Sequence, residues 1–95
     1  MPELRVFEWD DTKALSNLAK HGVAFPEAIR VFGDPNLIEL DASRPEEREV
    51  RMKAIGAIQG RIFTVVYTTR AGVTRIISAR RCNLTEKRLY GPPND

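Results

Sequence analysis

Cysteine is nearly absent from this 95-residue chain. Cys82 stands alone, so neither an intramolecular disulfide nor a cysteine-cluster metal site can form within it, and the thiol reads most simply as buried or inert. Histidine is as scarce. His21 with scattered carboxylates makes no zinc-binding constellation, and no glycine-rich loop is present to cradle a phosphate, so neither a metal nor a nucleotide cofactor is expected. No run of eighteen apolar residues occurs, and Met-Pro-Glu-Leu-Arg at the start lacks the apolar core of a secretory signal. A cytoplasmic protein with no membrane partner is the expectation. Internal repeats and low-complexity segments are missing too. A chain this short cannot divide into two cores, which leaves one domain over 1–95, with 91–95 expected to be a frayed tail.

What is present fits a chain that folds: 42% hydrophobic and 29% charged residues. The net charge of +2 conceals an asymmetry. Residues 1–43 carry four basic and eight acidic side chains, a net −4, whereas the remainder is +6. Eleven of the fifteen basic residues are arginine, whose planar fork of donors suits phosphate better than the point charge of lysine. A basic C-terminal part favours a polyanionic partner; a solvated face that keeps the protein soluble explains it equally.

The chain opens with strand alternation over Arg5–Trp9, and Asp10 follows as a helix N-cap. Ala14, Leu15, Leu18 and Ala19 form one stripe of a helix from Asp11 to about Lys20, closed by Gly22. A second helix starts at Pro26, runs through Ala28, Ile29 and Phe32, and stops at Gly33-Asp34-Pro35. Asn36–Leu40 reads as a short strand. Glu49–Ile55 alternates as another, although a helix is possible there, and Gly56–Gly60 reads as a turn. Arg61–Thr69 is rich in β-branched residues; Arg70-Ala71-Gly72 connects it to an antiparallel return over Val73–Arg81. Asn83 can cap a last helix that holds Glu86 and Tyr90. The order β-α-α-β-β-β-β-α gives an α+β layer, with helices against one face of a largely antiparallel sheet.

Ordered motifs run through nearly the whole chain: Phe7-Glu8-Trp9-Asp10, Asn17 with Lys20-His21-Gly22-Val23, Phe25 with Ala28, Ile55-Gly56 with Gly60-Arg61, Val65-Val66-Tyr67-Thr68 with Arg70, and Arg75-Ile76-Ile77-Ser78-Ala79-Arg80-Arg81 with Glu86 and Tyr90. Together, from about residue 5 to residue 90, they resemble the BrnT toxins of bacterial type II toxin–antitoxin modules. Cys82-Asn83 departs from the small residue and serine or threonine expected there. The resemblance implies a RelE-like fold, ribonuclease activity that blocks translation, and neutralisation by a cognate BrnA antitoxin. The complex would repress its own operon, so that operator DNA is met only through the antitoxin.

RNA can be cut without a metal if its own 2′-hydroxyl attacks the adjacent phosphorus. Arg61, Arg80 and Arg81 are the candidates to stabilise the phosphoryl charge, with surface ion pairs to Glu46, Glu47 or Glu86 as the alternative. A turn centred near residue 71 puts Arg61 opposite roughly residue 81. Strand alternation points Arg80 and Arg81 to opposite faces. His21 is the obvious acid or base by residue type, yet a cation just before a C-terminal glycine is equally well explained by the helix dipole. Tyr90 resembles the C-terminal tyrosine that related toxins place near the scissile phosphate, or else it anchors the last helix. Lys20, Trp9, Arg70 and Lys53 are candidate RNA contacts, with core packing the more natural role for Trp9. A non-catalytic module that binds an antitoxin or operator DNA through the same basic face remains the alternative function.

Overall fold

A computed structural model describes residues 5–91. The chain forms β1 (Phe7–Trp9), α1 (Asp11–His21), α2 (Phe25–Ala28), a 3₁₀ segment (Ile29–Gly33), β2 (Ile38–Asp41), β3 (Met52–Ile58), β4 (Arg61–Arg70), β5 (Val73–Arg81) and α3 (Leu84–Tyr90). The five strands make one sheet in the order β1-β5-β4-β3-β2. Only the β1–β5 pair is parallel.

Register sorts the side chains. Ala54, Val65 and Ala79 lie in one cross-strand row, and Ile55, Thr64 and Arg80 in the next, so the two rows point to opposite faces. The first face carries the core: Val23, Phe25, Ala28 and Val31 pack against Ala54, Ile58, Val65, Tyr67, Ile76 and Ala79. The opposite face carries Lys53, Ile55, Thr64, Val66, Ser78 and Arg80. There α3 sits, because Glu86 reaches Lys53, Thr64 and Arg80. The expectation of all helices on one face is therefore corrected: α1 and α2 cover one side and α3 one end of the other.

Asp10 caps α1, its Oδ1 accepting from Thr12 N at 2.8 Å and Lys13 N at 3.2 Å, and Gly22 closes it at φ 70°. The helix does not present its aliphatic stripe to the core. Leu15 is 69% exposed, and the buried residue is Asn17. The reason lies in β1, which pairs with β5 only from Thr74 to Ile76. Beyond that point the β5 edge has no strand beside it. Asn17 takes the place of one: its Oδ1 accepts from Ala79 N (3.0 Å), and its Nδ2 donates to Ala79 O (2.8 Å) and Val23 O (3.0 Å). Unpaired buried backbone is costly enough to draw an amide inward and leave two leucines outside.

The second helix is shorter than its sequence pattern suggests. One α-turn gives way to the 3₁₀ segment, where isoleucine, valine and phenylalanine are poor helix formers and packing of fully buried Val31 decides the path. β2 begins later than expected because Asp34 Oδ1 accepts from Asn36 N at 2.8 Å in a turn. β3 also lies further along, at Met52–Ile58, and Gly56 is a strand residue rather than a turn. Val31 lies so close that a Cβ on Gly56 would sit 2.9 Å from Val31 Cβ and O. Both hairpins use two-residue turns with positive φ at each centre, Gln59-Gly60 (50°, 81°) and Ala71-Gly72 (50°, 80°).

Asn17→Ala strips partners from three buried backbone groups and is expected to cost about 1–3 kcal/mol. A lower urea midpoint at unchanged m-value reads this out. Exposed Leu15→Ala is expected to shift stability by less than about 0.5 kcal/mol.

Candidate functional site

The far face is organised by a buried carboxylate. Glu86, 1% exposed, accepts from Arg80 Nη1 on Oε1 and from Arg80 Nη2 on Oε2, both at 2.7 Å. Thr64 Oγ1 donates to it at 2.9 Å, and Lys53 Nζ lies 2.9 Å away. It also closes the start of α3. Asn83 Oδ1 accepts from Glu86 N, and Glu86 Oε1 accepts from Asn83 N, each at 2.9 Å. Burial alone would raise the Glu86 carboxyl, but the Arg80 fork, the Asn83 N–H, Lys53 and the Thr64 hydroxyl together hold it well below the usual carboxylate range. The same pair raises Arg80 above its ordinary value through the Glu86 hydrogen bonds. Cys82 is buried with its Sγ 3.0 Å from Thr64 Oγ1, and burial pushes the thiol up. An un-ionised thiol is a poor nucleophile, consistent with an inert cysteine.

A groove of about 550 Å³ opens where β4 begins and β5 ends, lined by Arg61, Arg81, Lys87 and Arg88 with Gly60, Ile62 and Gly91. No acidic residue is among the seven. Among the described residues none of the four cations forms an ion pair with a carboxylate. Arg81 instead lies over the Phe63 ring, 5.5 Å from its centroid. The register places Phe63, not Arg61, opposite Arg81, so Arg61 extends two residues past the expected partner. Both arginines line the groove nonetheless. Lys87 and Arg88 escape a reading by motif; with Asn83 as cap and Glu86 turned inward, the next two helical positions turn away from Glu86, which is the signal that finds them.

The other candidates lie elsewhere. Lys20 and His21 line a pocket of about 170 Å³ between α1 and β5, with Lys13, Ser16, Asn17, Ile77 and Ser78. Tyr90 donates from its hydroxyl to Asp34 Oδ2 at 2.5 Å, and that oxygen also accepts from Ala57 N at 2.7 Å. The Asp34 hydrogen bond raises Tyr90 above its ordinary value. Trp9 is half-buried, edge-on to Phe25 with centroids 5.8 Å apart. Arg70 pairs with Glu49 at 2.6 Å, and Lys53 with Glu86. Arg75, on the same face as Arg80, pairs with Glu8 at 3.0 Å. The structure thus brings Arg61 together with Arg81, and Lys20 with His21, in two separate cavities. Arg80 and Arg81 do point to opposite faces, one to Glu86 and one over Phe63. Among the described residues no three metal-ligating side chains cluster, and no helix is long and apolar enough to cross a membrane.

A family model described as ribonuclease toxin, BrnT, of type II toxin–antitoxin system matches residues 9–86 of the chain. Among curated proteins none matches it. Arg61, Arg81 and the Glu86 cluster lie within the matched span, and Lys87 and Arg88 just beyond it.

Glu86→Gln leaves Arg80 and Lys53 without their counter-charge and is expected to cost about 3–5 kcal/mol at neutral pH. The folded carboxyl titrates below the unfolded one, so its contribution is complete above the ordinary carboxylate range and fades as pH falls through the folded value. The stability gap between wild type and Glu86→Gln, from denaturation across pH 2–7, should therefore narrow towards the acid end.

Proposed function

The chain belongs to the BrnT family of type II toxin–antitoxin ribonuclease toxins, and from that premise we propose that it is a metal-independent endoribonuclease that cuts RNA in the groove at the end of β4 and β5. The observation that carries this reading is the groove's lining of four cations, Arg61, Arg81, Lys87 and Arg88, with no acid. A phosphodiester fits such a lining, and a site that depends on a bound cation does not call for it.

In the proposed reaction the RNA 2′-oxygen bonds to phosphorus as its proton is removed, and the bond from phosphorus to the 5′-oxygen breaks as that oxygen takes up a proton. The products are a 2′,3′-cyclic phosphate and a 5′-hydroxyl. Arg61 and Arg81 stabilise the charge that builds on the phosphoryl oxygens. Arg80, with both terminal nitrogens on Glu86, adds positive field rather than a direct contact. Proton transfer falls to His21 or Tyr90. Tyr90, one residue before the groove's Gly91, keeps its proton on the Asp34 hydrogen bond, which raises its hydroxyl, so it is no base and acts as a donor only on leaving Asp34. Of the candidate RNA contacts, Lys53 and Arg70 are committed to Glu86 and Glu49 and Trp9 to Phe25, whereas Lys20 has no acidic partner among the described residues. Cleavage would inhibit translation in the cytoplasm, and a BrnA-type antitoxin would neutralise the toxin and carry the complex to operator DNA.

Incubation of the purified protein with naked RNA in chelator, with and without ribosomes, tests the reading. Wild type is expected to cut, and Arg61→Ala and Arg81→Ala to cut roughly 10²-fold more slowly while remaining folded. Arg30→Ala, which breaks only an exposed pair with Glu27, serves as control. His21→Gln and Tyr90→Phe identify the proton carrier, whichever abolishes cleavage at intact RNA affinity. A wild type that never cuts under either condition leaves the non-catalytic binding module.

A further inference from the structure

Two cavities share β5. The α1 pocket contains Ile77 and Ser78, and the cation-lined groove contains Arg81. Three residues of extended chain separate Ser78 from Arg81, roughly 10 Å. Between them, on the face that carries Ser78, lies the Arg80 guanidinium, its side chain 30% exposed. Among the described residues the only carboxylate in contact with it is Glu86, which binds two cations, Arg80 and Lys53, so the cluster keeps one net positive charge. The next acid along the face, Glu8, is matched by Arg75. The stretch between the two cavities thus carries the net positive charge of the Arg80 cluster.

The α1 pocket itself is built for an anion. Lys13 and Lys20 stand on its rim without acidic partners among the described residues, the hydroxyls of Ser16 and Ser78 can donate, and no carboxylate lines it. Asn17 pins its floor by holding Ala79 and Val23. Resting on the RNA-cleaving reading of the groove, we infer that this pocket is a second phosphate subsite, and that one RNA strand occupies both cavities by running along β5 past Arg80. A stacked strand advances about 3.4 Å per nucleotide along its axis and an extended one about twice that, so the gap of roughly 10 Å takes about two to three steps. A dinucleotide, with one bridging phosphate, cannot fill both subsites.

Oligonucleotides with 2′-O-methyl riboses lack the attacking hydroxyl and remain uncut, so their binding can be followed by fluorescence anisotropy over lengths of two to ten and over a range of salt. Affinity is expected to climb up to about four to six nucleotides and then level. For the octanucleotide, the slope of log K against log salt should fall by about 0.7 in Lys20→Ala and again in Lys13→Ala, one phosphate contact each. Dinucleotide binding should not change in either variant. An octanucleotide slope that is unaltered in the Lys13→Ala/Lys20→Ala protein but reduced in Arg61→Ala overturns the second subsite and leaves the groove standing. Slopes unaltered in the double variant and in Arg61→Ala alike overturn the groove reading, and this inference with it.

Discussion

The carboxylate of Glu86, charged and almost wholly shielded from water, is the constraint on which the rest of the site depends. A seven-residue helix does not hold itself together in water. α3 persists because one side chain at its third position does three things: it completes the capping box, binds the Arg80 fork and accepts from Thr64 on the central strand. A buried charge is tolerable only when every lone pair is used, and here Arg80, Lys53, Thr64 and Asn83 use them. At the other end of the helix Tyr90 reaches Asp34, which closes the segment after α2. Held at both ends, α3 brings Lys87 and Arg88 over the groove that Arg61 and Arg81 begin.

The edges of the sheet are finished by side chains instead of strands. Asn17 satisfies both backbone groups of Ala79 where β1 has already turned away, and Asp34 accepts from Ala57 beyond the end of β2. Each plug also belongs to a candidate contact region. Asn17 forms the floor of the Lys20 and His21 pocket, and Asp34 holds Tyr90. Fold and site are coupled through the same few polar atoms, so the positions that look most structural set where the cations stand.

Much of this was legible in local chemistry. Asp10, Gly22 and Asn83 act through their own backbone neighbourhood, and the structure uses each as its residue type suggests. The β4–β5 hairpin and the opposed directions of Arg80 and Arg81 follow from period two. What escaped depends on approach between distant segments. Gly56 resembles turn punctuation until Val31 is seen against it, and Ile77 gives no hint that the register slips beside it. Leu15 and Leu18 match a core stripe but lose the inner face to an asparagine. Arg80 and Arg81 look equivalent as neighbours, yet only one has Glu86 within reach, a fact that depends on where α3 folds back.

The account stands or falls on which arginines meet RNA. NMR titration with an uncleavable 2′-O-methyl oligonucleotide, following the Nε–H signals of arginine, addresses this directly. Large shifts at Arg61, Arg81 and Arg88, with Arg80 little changed because it stays on Glu86, are the predicted result. Shifts centred on Arg5, Arg30 or Arg75, with the groove arginines silent, would contradict it.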